Sequence, residues 1–269
     1  MTDPVSTVPP APAAPTQPSA GRLRGPLIHP VVVGLTMRDL LGRRRLILFA
    51  LLPLVLLGLA ITSRAVRGAG AKEAADILQQ VGFGALLPLL ALIAATGTLA
   101  PQIDDGSVVY LLAKPLSRHA IIRSQALVAY LTVVVFAVLP MVISGVIDEG
   151  RFGTVTRSLA VGALLSGAAY VGLFTLLSVA SRNAVLLGLL YALIWEGVVG
   201  GYVPGAKSLS IRQWGLSVSE SMIGTPAKEL GVDSPVGVVA AVVLLLVVTA
   251  GSIWIAGNRL RNLRMRSSD

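Results

Sequence analysis

Glu196 is the one ionisable side chain inside the long apolar runs of this 269-residue sequence. An unpaired charge is costly in hydrocarbon, so a carboxyl at such a place faces protein or a water-filled cavity. Gly188, Ala192, Glu196 and Gly200 recur every four residues, which sets them along one helical stripe, and small residues on a stripe mark a helix–helix seam. Two chemistries fit. Glu196 contacts a substrate or proton, with Trp195, Tyr191 and Tyr170 along the same pathway, or its carboxyl hydrogen-bonds a neighbouring helix and does no chemistry. The other polar groups of the apolar runs are sparse, at Tyr130, Thr132 and Thr175, which favours an amphipathic or lipid-like cargo over a sugar or ion.

Other reactive constellations are missing from the sequence. There is no cysteine, so no disulfide framework, thiolate ligand or cysteine nucleophile, and the two histidines, His29 and His119, do not make a histidine-rich metal site. No Gly-Lys pair occurs, which removes the G-x-x-x-x-G-K-[ST] phosphate loop, and neither H-E-x-x-H nor G-x-S-x-G is present. With a single acid in the apolar runs, an aspartyl dyad is also missing. The expectation is a chain that is not an enzyme and holds no cofactor or metal of its own.

What would position Glu196 is a bundle of membrane helices. With 54% hydrophobic and 13% charged residues, the composition is that of an integral membrane protein. The apolar runs are continuous, not alternating, and so read as helices of the about 20 residues that a bilayer core demands. Six spans are predicted, at 46–63, 81–100, 126–147, 159–180, 184–203 and 236–257, with Pro53, Pro88 and Pro140 inside the first three. Residues 1–26 carry seven of the sixteen prolines and no periodic apolar pattern, and are expected to form a disordered tail. Residues 27–45 interleave apolar side chains with Arg38, Arg43, Arg44 and Arg45; they read as an amphipathic helix in the headgroup layer, or simply as the basic flank of the first span.

Basic residues set the orientation. With the N-terminus inside, 14 of the 22 fall on the cytoplasmic side and 8 outside, so both termini are expected in the cytoplasm. The net charge of +9 is thereby assigned to topology and to contact with the lipid bilayer, not to nucleic acid. Arginine outnumbers lysine 18 to 4, a bias of GC-rich bacterial coding that points to a bacterial plasma membrane. The last outer connection carries Ile211, Trp214, Val218 and Met222 at helical spacing; it is expected to form a short amphipathic helix that packs over the bundle or touches substrate.

Residues 102–123, QIDDGSVVYLLAKPLSRHAIIR, are more elaborate than a connection between two spans requires. Asp104, Asp105, Gly106 and Ser107 make a turn that can start a helix, and Val108, Leu111 and Leu112 give it an apolar face. Lys114 and Pro115 stop it, and Ser117 can cap the next helix. In this the sequence resembles the permease subunits of type-two ABC exporters, among them the drug, antibiotic and copper-enzyme-maturation exporters. Those permeases often carry an acidic residue, any residue, Gly, and Thr or Ser after the second span. An apolar run follows, ending in a small residue, a variable residue, Pro, an aliphatic residue, Ser and Arg. Here the match runs from Asp104 to Ser107 and from Leu111 through Ala113, Lys114, Pro115, Leu116 and Ser117 to Arg118, with Asp104 in place of the more usual Glu. The Trp195-Glu196-Gly197 stretch before a long outer segment is similar as well.

The resemblance implies an all-α membrane fold of six transmembrane helices over 46–257, with an N-terminal interfacial helix, a cytoplasmic coupling helix between spans two and three, and a basic C-terminal tail over 258–269. It further implies that the coupling helix seats in a soluble ABC ATPase subunit, which holds the ATP and Mg, and that two permease chains, identical or homologous, make the pathway. Arg38, Arg43, Arg44 and Arg45 would form a second contact. Two other readings compete: an ion-coupled secondary carrier using Glu196, and a non-transporting sensor or resistance subunit that docks the same ATPase.

Overall fold

The computed structural model describes residues 43–104, 118–199 and 205–262. The expected tail over 1–26, residues 27–42 of the expected interfacial helix, residues 105–117 and the chain from 263 onward lie outside the described residues. Every regular element among the described residues is helical: α1 (Arg43–Arg67), α2 (71–104), α3 (118–149), α4 (Thr154–Ala180), α5 (184–199), α6 (Ile211–Ile223) and α7 (Val238–Asn262). Five of them contain stretches long and apolar enough to cross a bilayer, namely Phe49–Arg67, Ala71–Thr98, His119–Glu149, Thr154–Ala180 and Val238–Arg259. The chain thus has the build of a multi-pass helical membrane protein.

The first four helices run up and down through two tight turns. Gly68, at φ 86°, starts the turn from α1 to α2, and the Gly70 N–H donates to the Asp148 carbonyl at 2.9 Å. α2 therefore begins at Ala71, ten residues before the predicted span. The connection expected there carries Lys72, Glu73 and Asp76, whose charge hid a sequence, AKEAADI, that has no helix breaker. α3 is described from Arg118, next to the Ser117 expected to cap a helix running into the third span, and ends on Gly150 in the left-handed region at φ 75°. Beyond that turn the Glu149 carboxylate accepts from the Thr156 N–H and hydroxyl at 3.2 and 2.8 Å, satisfying the first turn of α4.

Two prolines inside the spans follow stretches of wide, π-type winding. Leu78–Leu86 precedes Pro88 and Val134–Val138 precedes Pro140. Proline has no N–H to donate to the carbonyl four residues back and its ring crowds that carbonyl; widening the preceding turn is one way a membrane helix absorbs the mismatch.

The interior is built around α2 and α4, whose Phe83, Leu87, Leu90, Tyr170 and Phe174 are wholly buried. Around them, α1 turns Ile47, Leu51 and Leu54 outward, and α7 does the same with Val239, Leu246 and Val247. Such apolar outer faces match a hydrocarbon surround. The helix ends differ in charge, since Arg64, Arg67, Lys72, Arg151 and Arg157 share one end with Glu73, Asp76, Asp148 and Glu149. Up-and-down connectivity brings Arg43, Asp104, Arg118 and Arg182 to the other end of the bundle, and the imidazole of His119 against Gly257 brings the end of α7, with Arg259, to that end too. This is hereafter the basic end.

Candidate functional site

α5 is the apolar helix that holds Glu196, and its 16 described residues cover about 24 Å. Its two faces differ as the four-residue stripe predicts. Gly188, Ala192 and Glu196 are buried, while Leu186, Leu190, Leu193 and Ile194 are exposed. A Cβ on Gly188 would run into Leu92 of α2 and touch Phe174 of α4, so the small residue is what lets α5 lie against both helices. Gly200, the stripe's last member, is outside the described residues.

α6 was expected on the outer face; the structure seats it deep in the bundle instead. A Cβ on Gly162 of α4 would collide with Ser219 and the Gly215 carbonyl of α6, and one on Gly215 would meet Phe83 and Ser166. Position 219 is thus beside 162 and position 215 beside 166, so α6 runs antiparallel to α4 and its first residue falls near Tyr170. That level lies about 15 Å from the Ala180 end of α4 and about 24 Å from Thr154. α6 is a half-helix whose N-terminus points into the middle of the bundle. Ile211, Trp214 and Val218 are buried as its apolar stripe requires, but Gln213 and Ser217 on other positions are buried too, and Met222 is exposed.

A helix N-terminus in such surroundings presents unpaired N–H groups and a partial positive charge, and needs an acceptor. Glu196 supplies it. Its Oε1 accepts from the Ile211 N–H at 3.0 Å and from the Tyr191 hydroxyl at 2.9 Å. Its Oε2 accepts from the Arg212 N–H at 3.4 Å and from the Ser210 hydroxyl. Ser210 is also the N-cap, its Oγ accepting from the Gln213 N–H at 3.3 Å. The π-type winding of α5 over Tyr191–Val199 closes turns between residues five apart, and Tyr191 and Glu196 are such a pair.

Aromatic rings surround this carboxylate. Tyr170 stacks on Phe174 with ring centres 6.1 Å apart, and Phe174 meets Tyr191 edge-on at 6.0 Å. The Tyr170 hydroxyl is buried beside Glu196 without reaching hydrogen-bond geometry to it. Trp195 is half-buried. The Arg212 side chain passes over Gly84 in the wide turn of α2, and its Nε is buried with no hydrogen-bond partner among the described residues.

The structure therefore brings together Tyr170, Tyr191 and Glu196 of the sequence-predicted residues. Ser210 and Arg212 belong with them and went unread, although Ser210-Ile211-Arg212-Gln213 is a helix-start pattern with a hydroxyl at the cap and an amide three residues on. With four donors on its two oxygens, Glu196 is a saturated acceptor that joins α5 to α6 in this conformation. Among the described residues no three His, Cys, Asp or Glu side chains gather as metal ligands.

The residues predicted to couple to an ATPase flank a gap in the description. Asp104 is the last residue of α2 and Arg118 the first of α3. Asp105, Gly106, Ser107, Leu111, Leu112, Lys114, Pro115 and Ser117 lie outside the described residues, as does Arg38. Arg43, Arg44 and Arg45 form the first turn of α1 in direct continuity with the first span. No protein-family model matches the chain, and no curated protein is significantly similar to it in sequence.

Proposed function

We propose that the chain is the permease subunit of an ATP-binding cassette exporter of type two, working with a second permease chain and a separate soluble ATPase. The observation that carries the reading is the position of the 105–117 stretch. It joins α2 to α3 at the basic end of the bundle, the end that the distribution of basic residues assigns to the cytoplasm. The sequence of that stretch, with its acidic start, apolar run and Lys-Pro pair, supports a contact with a soluble partner. The chain then crosses six times in the bacterial plasma membrane. The fifth crossing is shared: α5 enters from the basic end, and α6 carries the chain from mid-depth to the opposite face.

The carrier reading loses support from the geometry, because a carboxylate already engaged by Tyr191, Ser210, Ile211 and Arg212 has no free lone pair turned to a cavity. The experiment is co-purification. An ATPase subunit with a G-x-x-x-x-G-K-[ST] loop, encoded beside this chain, is expected to purify with it, and replacing Asp104 and Asp105 by Lys to release it while the permease still elutes as a folded species. Retention of the ATPase by the double variant overturns the assignment. Proton-dependent uptake into liposomes lacking any ATPase would favour the carrier.

A further inference from the structure

A groove runs down the outer surface of the bundle between α3, α4 and α7, in two adjoining parts of about 240 and 650 Å³ that share Arg123 and Ile253. Its walls are pinned at both ends. Toward the basic end His119 packs on Gly257, where an added Cβ would lie 2.6 Å from the imidazole. Toward mid-depth Gly172 lies against the backbone of Thr249, where an added Cβ would be 3.2 Å from the carbonyl. Leu127, Ala168 and Val171 line an apolar floor beside the second crossing, with Thr249 at its edge. Tyr130 closes the far end, its hydroxyl donating to the Leu164 carbonyl at 3.3 Å.

The polar groups are not spread evenly along it. Arg123 is exposed at the mouth with His119 one turn nearer the basic end, Trp254 stands across from them at 62% exposure, and no carboxylate is among the described lining residues. From His119 to Tyr130 the rise is about 16 Å, half of a bilayer core of about 30 Å. The groove is thus one leaflet deep, apolar along its length and cationic at its headgroup end, with a tryptophan at the level where tryptophans collect in membrane proteins.

We propose that this groove is a binding site for an anionic phospholipid of the leaflet at the basic end, with the phosphate on Arg123 and one acyl chain lying over Ala168 toward Tyr130. A second copy of the chain is a poorer occupant, since a transmembrane helix would set apolar side chains against Arg123. The inference holds whether or not the chain pairs with an ATPase.

The test is native mass spectrometry of the full chain in detergent. The probes are phosphatidylglycerol, phosphatidylcholine with the same acyl chains, and inorganic phosphate. Phosphatidylglycerol is expected to be retained at one per chain, about fivefold more strongly than phosphatidylcholine. Arg123→Gln should bring it down to the phosphatidylcholine level, and Ala168→Phe, which fills the floor, should weaken both lipids. Equal retention of the two lipids, or no effect of Arg123→Gln, overturns the proposal. So does displacement by equimolar phosphate with Ala168→Phe silent, which would leave a bare anion site, or a change of oligomeric state in Ala168→Phe with no lipid retained.

Discussion

The Oε1 atom of Glu196 accepts the backbone N–H of Ile211 at 3.0 Å across fifteen residues of sequence, and so fixes the start of a half-helix to the wall of a helix that precedes it. Half-helix N-termini at mid-depth are natural anion sites, because their dipoles and free N–H groups meet little competition from water. Here the anion is internal. The same device recurs at the far side of the bundle, where Glu149 at the end of α3 caps α4 through Thr156. In both places a carboxylate on one helix satisfies the start of the next.

Removing the internal anion should destabilise the protein. Glu196→Ala leaves the Ile211 and Arg212 N–H groups and two hydroxyls without their acceptor, and is expected to cost about 3 kcal/mol. That corresponds to a fall of about 10 °C in the midpoint of thermal unfolding, read by fluorescence-detected size exclusion. Glu196→Gln keeps one acceptor but turns an amide NH₂ toward donors, and should fall between Ala and the native chain. Ser210→Ala removes only the N-cap hydroxyl and should cost about 1 kcal/mol. Native stability in Glu196→Gln together with lost transport would return the residue to the substrate pathway.

The seat of α6 against α4 depends on Gly162, where a methyl group would strike Ser219 and the Gly215 carbonyl. Backbone cannot step aside as a flexible side chain can, so Gly162→Ala is expected to cost about 1–3 kcal/mol by overpacking. Gly58→Ala in α1 is the matched control: nothing lies within 4 Å of its Cβ position. That substitution should be neutral or stabilise by a few tenths of a kcal/mol through helix propensity. A common response of both variants in thermal unfolding would place the cause in glycine chemistry and not in the α4–α6 contact.

The helical class, the cores of the spans and the buried stripe of α5 were legible because each is written in apolar periodicity. Gly188, Ala192 and Glu196 needed no knowledge of a partner helix to be set on one face. What could not be read was depth. Ile211, Trp214 and Val218 form an apolar stripe that fits a surface helix as well as an inserted one, and burial of Gln213 and Ser217 depends on partners far off in sequence. Ser217 donates to the Val236 carbonyl at 2.7 Å, and the carbonyl of Gln213 accepts from Ser234 at 3.0 Å. The start of α2 was lost to a different cause, since Lys72, Glu73 and Asp76 broke the hydropathy signal without breaking the helix.

Gly153 carries a constraint imposed by the cap beside it. A Cβ there would run into the Glu149 carboxylate that holds the first turn of α4. Gly153→Ala should therefore displace Glu149 and release the Thr156 N–H, costing about 1 kcal/mol. Hydrogen exchange would report it locally: faster exchange confined to the first turn of α4 is the expected result, and the same profile should appear in Glu149→Ala. Unchanged exchange at Thr156 in both would mean that water satisfies this turn as well as the carboxylate does.

Because the sequence has no cysteine, single cysteines read the topology directly. Arg182 sits in the turn between α4 and α5 at the basic end, and Arg151 in the turn between α3 and α4 at the other; both are exposed. In whole cells a membrane-impermeant maleimide should label Arg151→Cys and leave Arg182→Cys unmodified until the membrane is permeabilised. The expectation follows from basic residues being retained on the cytoplasmic side during insertion. The reverse pattern would invert the bundle, put the 105–117 stretch outside the cell, and remove a soluble cytoplasmic ATPase from the partners it could meet.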